Sequence, residues 1–418
     1  MNMGFFVWEF YPRLVGGLGS YAIEMTKKYV DYGNSVVVFT MNDGKLKTSD
    51  EWNGIQVHRP LTLDSSNIFP IFVTEDLKKW GTNINFFADV YNYNILAACK
   101  YVNLLIRREK QKFDITSVHD WLSSIAGLMI KNEMKDMPLV VHFHSIEEQR
   151  SLGKGSEVVK ELERKIAERA DKIITVSYSM KDFLASLGYP NEKIEVVYNG
   201  CDPEKYDPKK ANKKLVEELR SRYGIKEEKV ILFVGRLTWV KGIYNLIKAM
   251  PEVLKEFPNT KLIILGKGED YNNLIALSQQ LGLYESKVRI HSEWVSEEER
   301  IAHYALADLC VFPSISEPFG IVSLEAMAME KPIVVGARGI SGLREQVVPT
   351  GENKTGVHVN SEDPNDIAWG IKEILRNFEE AKEWGRNGRK RVESQFTVDI
   401  AARKTLEIYE KVVEQAKI

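Results

Sequence analysis

Two carboxylates eight residues apart, Glu317 and Glu325, lie in the stretch Ser314-Ile-Ser-Glu-Pro-Phe-Gly-Ile-Val-Ser-Leu-Glu325. Upstream, Leu309-Cys-Val-Phe-Pro313 is a short apolar run of buried-strand type. Downstream, Val322, Leu324, Ala326, Met327 and Ala328 form a compact apolar helix. This pattern predicts Glu317 in a strand-to-helix loop and Pro318 near the first helical position, where its missing N–H costs nothing. Glu325 then falls about two turns into the helix. The unpaired N–H groups of Phe319, Gly320 and Ile321 would point out of the helix start, where the macrodipole favours an anion such as phosphate. Carboxylates repel phosphate, so Glu317 and Glu325 are expected to accept hydrogen bonds from hydroxyls on either side of it, a sugar for one and a ribose for the other. That combination describes a nucleotide sugar. The alternative is a helix whose acidic residues merely cap its N-terminus.

A second group supplies positive charge. Val230-Ile-Leu-Phe-Val-Gly-Arg236 reads as a strand, followed by the loop Leu237-Thr-Trp-Val-Lys241-Gly242 and a helix through Met250. Arg236 and Lys241 can converge on one anion, the guanidinium as a bidentate fork and the ammonium as a compact point charge. Solvated surface charge is the alternative, and Arg236 directly after a buried strand weighs against it. His142 and His144 face the same way on a strand, as metal ligands would. No third ligand has an obvious spacing to them, and the chain contains no Asp-x-Asp pair for a metal–diphosphate complex. Diphosphate binding is therefore expected from cations and backbone, with no metal and no cofactor. Cys99, Cys201 and Cys310 are isolated, so neither a zinc site nor a disulfide framework is indicated.

With 418 residues the chain has room for two or three domains and a large core. A net charge of −2 gives no sign of a nucleic-acid surface, and 44% hydrophobic with 28% charged residues is ordinary globular composition. The segment Met1 to Phe10 lacks the basic start of a signal peptide, and no apolar run has membrane-spanning length. A cytoplasmic protein is expected.

The elements that must position these groups follow in order. Gly4 to Glu9 reads as a strand, Phe10 to Gly19 as a glycine-rich loop, Ser20 to Tyr32 as a helix capped by Ser20, and Ser35 to Thr40 as a second strand. This is a nucleotide-fold opening. Gly16-Gly17-Leu18-Gly19 has the wrong spacing for a dinucleotide fingerprint; it is either a close approach to phosphate or a tight turn. Leu61 to Thr82 is irregular. The aromatic group Trp80, Phe86, Phe87, Tyr91 and Tyr93 offers faces for an acceptor sugar, although core packing is the better reading for most of it. Ile95 to Arg108 reads as an amphipathic helix. His119 and Asp120 fall at a strand end, as does His144, with His142 deeper in its strand and read as a buried, hydrogen-bonded residue. Asn199-Gly200-Cys-Asp is a turn, and Asp202 to Asn212 has linker composition, which places a boundary near residue 205. At Glu293-Trp294-Val295 a nucleobase could meet backbone groups. The order predicts an α/β protein of two doubly wound, Rossmann-like halves, 1–205 and 206–395, facing a central cleft, with a C-terminal helix over 396–418.

With these residues in place, the chain resembles the retaining glycosyltransferases of the GT-B architecture, specifically the family-four and glycogen-synthase group, over nearly its full length. Arg236 with Lys241, and Glu317 with Glu325 as an E-x7-E pair, carry the resemblance most specifically. It implies that Arg236 and Lys241 hold the donor diphosphate, that Glu325 binds the ribose, and that Glu317 sits by the anomeric carbon of the donor sugar. Phe319, Gly320 and Ile321 would contribute backbone N–H groups, and Gly17 would approach the phosphate from the opposite domain. His144 matches the sugar-bonding position often termed catalytic. Asp120 and Asn199 are similar to sugar-contacting positions of glycogen synthases, and the last helix would pack back on the N-terminal domain. Two departures stand out: Gly33-Asn-Ser-Val36 where many members have Gly-His-Glu-Val, and Arg13 where glycogen and starch synthases usually carry Lys. His119-Asp-Trp121 and His144-Ser145 with Glu147 lean towards glucan synthases.

The chemistry implied is transfer of a glycosyl unit from a nucleoside diphosphate to an acceptor hydroxyl with retention, the favoured case being α-glucose from UDP-glucose or ADP-glucose to an α-glucan. A different sugar, or a small or lipid-linked acceptor, is the first alternative. A sugar-nucleotide epimerase of the same fold is the second, and a non-catalytic nucleotide-sugar binder the third. The partners expected are a nucleotide-sugar donor and a carbohydrate acceptor, with no nucleic acid; oligomeric state is open.

Overall fold

A computed structural model of the chain describes residues 1–14, 16–79 and 83–417. Trp80 of the aromatic group, and Thr82 at the end of the irregular stretch, lie outside the described residues. The chain divides into two compact units, one of Met1–Val176, Lys181–Tyr198 and Val398 onward, the other of Ser177–Met180 and Asn199–Thr397.

The first unit is built on strands β1 (Asn2–Phe6), β2 (Ser35–Phe39), β3 (Ser49–Trp52), β4 (Ile55–His58), β5 (Ile115–His119), β6 (Leu139–Phe143), β7 (Lys172–Thr175) and β8 (Ile194–Val196). Their order is β3-β4-β2-β1-β5-β6-β7-β8, parallel throughout except for the β3/β4 hairpin. The central strands are almost continuous apolar runs because helices cover both faces of a parallel sheet. The chain winds outward from β1 in one direction and from β5 in the other, so the crevice between diverging connections opens at the C-terminal ends of β1 and β5. The helix Val398–Gln415 adds Ala401, Ala402, Tyr409 and Val412 to this unit's core, beside Met25 and Tyr29 of the first helix.

The second unit carries β9 (Lys229–Val234), β10 (Thr260–Leu265), β11 (Val288–His291), β12 (Leu309–Phe312), β13 (Ile333–Gly336) and β14 (Gly356–Val359). All are parallel, in the order β11-β10-β9-β12-β13-β14. Here the winding reverses between β9 and β12, and the loops leaving those two strands are the ones that carry Arg236 with Lys241 and Glu317.

Local chemistry shifts some boundaries. The first helix runs Gly17–Asp31, so Ser20 lies inside its first turn and does not cap it. Gly16 is the cap residue, and its N–H donates instead to Glu9 Oε2 at 2.8 Å. The helix expected from Ile95 begins at Ile84 and continues with wider turns to Arg108. The stretch from Asp202 to Asn212 is not a free linker. It belongs to the second unit, Tyr206 is buried, and the Arg389 guanidinium donates to the carbonyls of Tyr206 (3.0 Å) and Pro203 (3.1 Å). No helix among the described residues is long and apolar enough to cross a membrane.

One contact sets the β9 and β12 loops against each other. Gly242 has φ +70°, and a Cβ there would stand 1.9 Å from the carbonyl oxygen of Pro313. Beside it the Ile315 N–H donates to the Val240 carbonyl at 2.8 Å. Gly242→Ala should therefore destabilise the second unit by more than the roughly 1 kcal/mol that a side chain at positive φ costs by itself; equilibrium denaturation reads this as a lower midpoint, and an unchanged midpoint would refute the contact.

In the first unit, burial, reinforced by the Lys100 ammonium, brings His58 from an ordinary value of 6.5 down to about 4. The unfolded chain thus takes up this proton first as pH falls. The stabilisation is complete above the unfolded value of about 6.5, and is lost towards pH 4 with a slope of up to about 1.4 kcal/mol per pH unit. His58→Leu should flatten the acid limb of a stability-versus-pH curve in that window and leave the alkaline limb unchanged.

Candidate active site

Each carboxylate of the opening pair has a distinct setting in the second unit. The loop after β12 is pinned to the loop after β13: the Glu317 N–H donates to the Ile340 carbonyl and the Gly342 N–H to the Glu317 carbonyl, both at 2.9 Å. Helix Ile321–Ala328 follows, with Gly320 at φ +87° as its cap residue. Pro318 thus lies three residues ahead of the helix and not at its first position, because the left-handed turn at Gly320 makes the entry. Gln346 Nε2 donates to the Phe319 carbonyl at 2.8 Å and Ser323 Oγ to the Gly320 carbonyl at 2.6 Å, which fixes the peptide planes. Among the described residues no acceptor pairs with the N–H of Gly320 or Ile321. Phe319 is buried, its ring packed near Phe396.

The Lys241 ammonium forms an ion pair with Glu317 Oε2, and Ser314 Oγ donates to the same oxygen at 3.4 Å. Both charged side chains are largely enclosed, 23% and 12% exposed. The cation expected for the diphosphate and the carboxylate expected for the sugar are therefore one unit. Arg236 stands on the same loop as Lys241, exposed; its carbonyl accepts the Thr238 N–H at 3.0 Å, and its guanidinium makes no hydrogen bond or ion pair among the described residues.

Glu325 is buried in a network that sequence reasoning missed. Tyr206 OH donates to Oε1 at 3.0 Å, Tyr304 OH donates to Oε2 at 2.9 Å, and an Arg300 guanidinium nitrogen lies 3.4 Å from Oε1. Arg300 also donates to the Tyr206 hydroxyl. Burial disfavours the Arg300 charge, but Glu325 and the two phenols outweigh it and raise its pKa. A ribose reaching Glu325 would share these oxygens through their remaining lone pairs. Arg300 and Tyr304, one helical turn apart, offered a sequence signal; Tyr206 was hidden in its linker-like stretch. Asn199 is buried at the start of the unit and pairs with none of these groups.

In the first unit the ends of β5 and β6 carry the notable side chains. Asp120 has φ +54°, donates its N–H to the His142 carbonyl at 2.8 Å, and accepts the N–H groups of His144 (2.8 Å) and Ser145 (3.3 Å) on Oδ1. The carboxylate read as a sugar contact thus spends one oxygen fastening the backbone of His144.

A third histidine joins the close pair, which spacing within one strand did not reveal. His119 is in register with His142 across β5 and β6. One imidazole nitrogen from each of His119, His142 and His144 lies within 4.8 Å of the other two. The closest approach is a hydrogen bond, His119 Nδ1 to His144 Nε2 at 3.1 Å, so these two nitrogens face each other and not a common centre. His142 Nε2 meets Tyr409 OH at 2.6 Å and its Nδ1 meets Tyr21 OH at 3.5 Å. Burial lowers the pKa of all three rings.

Gly17 opens the first helix, and a Cβ added there would meet nothing within 4 Å, so packing alone does not require glycine. Phe87 and Tyr93 are core residues, Phe87 stacking on Trp121, whereas Phe86 and Tyr91 remain partly exposed.

Residues 15–205 match the family described as Glycosyltransferase Family 4, and residues 216–391 match Glycosyl transferases group 1. An uncharacterised glycosyltransferase of Methanocaldococcus jannaschii is 31% identical over 420 residues, covering 99% of both chains. A glycogen synthase of Mycobacterium tuberculosis is 27% identical, covering 96% of this chain and 92% of its own. Among solved structures, Anabaena HepE in complex with UDP-glucose superposes with a TM-score of 0.74 at 21% identity, covering 98% of this chain and 100% of HepE. The two parallel-sheet units, the full-length relative and the paired family matches converge: the chain belongs to the family-four glycosyltransferases of GT-B architecture, and is a nucleotide-sugar-dependent hexosyltransferase.

Proposed function

We propose that this protein transfers an α-glucosyl unit from UDP-glucose or ADP-glucose to an α-glucan with retention at the anomeric carbon. The observation that carries the reading is the Lys241–Glu317 pair at the point where the second unit's winding reverses. A site that has to part a sugar from a diphosphate needs a cation and a hydroxyl acceptor within one bond of each other, and this pair supplies both. The glycogen synthase relative supports glucose and a glucan acceptor; the HepE complex supports a uridine donor in this fold.

In this reading Arg236 and Lys241 carry the negative charge that grows on the departing diphosphate, together with the N–H groups of Phe319, Gly320 and Ile321. Lys241 exchanges part of its contact with Glu317 for phosphate oxygen, which frees the carboxylate to accept from a sugar hydroxyl. Glu325 receives the ribose. Asn199, Gly17, His144 and Asp120 complete the donor and sugar contacts. The leaving phosphate oxygen takes the acceptor's proton on the same face, and no cofactor or metal takes part because the two cations and the helix start supply the charge. The reaction belongs in the cytoplasm.

The test is release of nucleoside diphosphate from UDP-glucose and from ADP-glucose, with and without glycogen, for the wild-type protein, Lys241→Ala and Glu317→Ala. Glycogen-dependent turnover should fall by about 10²–10³-fold in each variant, the usual cost of removing one preorganised charge-stabilising group. The anomeric configuration of the new linkage, read by proton NMR, should be α. Binding of a nucleotide sugar without glucose transfer to glycogen would sink the glucan reading and direct the search to other sugars and to small or lipid-linked acceptors. Diphosphate release with no acceptor and an isomerised sugar would identify an epimerase.

A further inference from the structure

The histidine pair at the ends of β5 and β6 contains information about where a proton sits. His119 Nδ1 and His144 Nε2 are 3.1 Å apart, the ring centroids are 5.4 Å apart, and the planes differ by 22°. Two imidazoles meeting edge to edge across such an N···N distance must have about that centroid separation, so the bond lies close to both ring planes, where an N–H and a lone pair point. One nitrogen donates and the other accepts. The bond alone does not say which.

The surroundings decide it. His119 is fully buried, and its other nitrogen, Nε2, has no partner in its closed pocket. His144 is only partly buried, and its Nδ1 is neither sealed off nor hydrogen-bonded among the described residues. If His144 donated, the His119 proton would sit on Nε2 as a buried N–H without an acceptor, a group that native structures avoid more strictly than an unpaired lone pair. If His119 donates from Nδ1, only a lone pair is left unpaired inside. The outward Nδ1 of His144 is satisfied by solvent or ligand in either case, so His119 sets the balance. His119 is further fixed by His142, whose ring lies against it at 4.4 Å and is itself tied to Tyr409 of the C-terminal helix.

We infer that His119 is a positioning residue that holds the proton of His144 on Nδ1, so that His144 meets the substrate as a hydrogen-bond donor and not as a base. The second half of this statement rests on the reading of His144 as a sugar contact; the first half does not. The donor would be aimed at a sugar hydroxyl oxygen, and the Asp120 carboxylate that anchors the His144 backbone keeps the ring at the end of β6. No proton leaves His144 during the reaction.

The tautomer is measured directly on the full-length protein with ¹⁵N-labelled histidine, through two-bond proton–nitrogen correlations, the His144 signals being assigned by their loss in His144→Gln. The wild-type spectrum should show a protonated Nδ1 and an unprotonated Nε2 on His144. A wild-type His144 protonated on Nε2 overturns the inference outright, with no variant needed. His119→Asn, whose side-chain amide places an N–H near the old Nδ1, should preserve the tautomer; His119→Asp, whose ionised carboxylate in the same place only accepts, should turn His144 to the Nε2–H form. Glucosyl transfer should then be retained in His119→Asn and lowered at least tenfold in kcat in His119→Asp, with donor KM little changed. A shifted tautomer with unchanged kcat would overturn the role of His144 as a donor to substrate while leaving its proton assignment intact. That outcome is distinct from failure of the glucan reading, which the glycogen assay detects independently.

Discussion

The second unit depends on two loops being held closer together than side chains would ordinarily permit. The loop after β9 reaches the loop after β12 only because Gly242 presents no Cβ to the Pro313 carbonyl, and the Ile315 to Val240 hydrogen bond then fixes the approach. The ion pair of the unit follows from this contact. It places the Lys241 ammonium on Glu317, and the connection pinned through Ile340 and Gly342 keeps that carboxylate from following the cation into solvent. Two charges so enclosed attract each other more strongly than an exposed pair, yet each has given up hydration to be there. A phosphate offered to Lys241 therefore competes with a partner already partly desolvated, and the exchange costs less than stripping a free lysine of its water.

Glu325 illustrates the opposite arrangement. It is eight residues from Glu317 in the chain, but both of its oxygens are already occupied by phenols, with Arg300 close behind. Such a carboxylate is held in place before any ligand arrives. In the proposed reaction the first carboxylate exchanges partners, whereas the second keeps the ones it has. The E-x7-E spacing is what allows this difference, since it puts one glutamate in the strained entry loop and the other on the second turn of the helix that leaves it.

Much of this was legible from residue order because parallel strands buried on both faces read as apolar runs, and the loops at their C-terminal ends are short. The strand before Arg236 and the one before Ser314 were readable for that reason, and with them the two loops that meet. Where the reading failed, the cause was a distance in sequence. Tyr206 looked like part of a linker because Pro, Lys and Asp surround it, and nothing local shows that Arg389, far along the chain, holds that stretch down. Ser20 looked like a cap because capping is usually local, whereas Glu9 supplies the acceptor from a preceding loop. His119 was invisible as a partner of His144 because pairing in register between β5 and β6 is a property of the sheet. The hydrogen-bonding edge of a strand leaves no mark on its sequence.

The same logic explains why the first unit uses neutral groups where the second uses ions. Its histidines sit in a column closed behind by Tyr409 and flanked by Tyr21, and among the described residues no carboxylate is hydrogen-bonded to any of the three rings. Burial, which at His144 outweighs the opposing pull of the Asp120 charge, drives all three imidazoles towards the uncharged form. A neutral ring cannot stabilise a departing diphosphate, but it can discriminate among hydroxyls by direction, provided its donor and acceptor edges do not interchange. A free imidazole does interchange them. One whose inner nitrogen is committed to a neighbour that has nowhere else to place its proton does not, and the C-terminal helix, by tying Tyr409 to the back of the column, keeps that neighbour where it is.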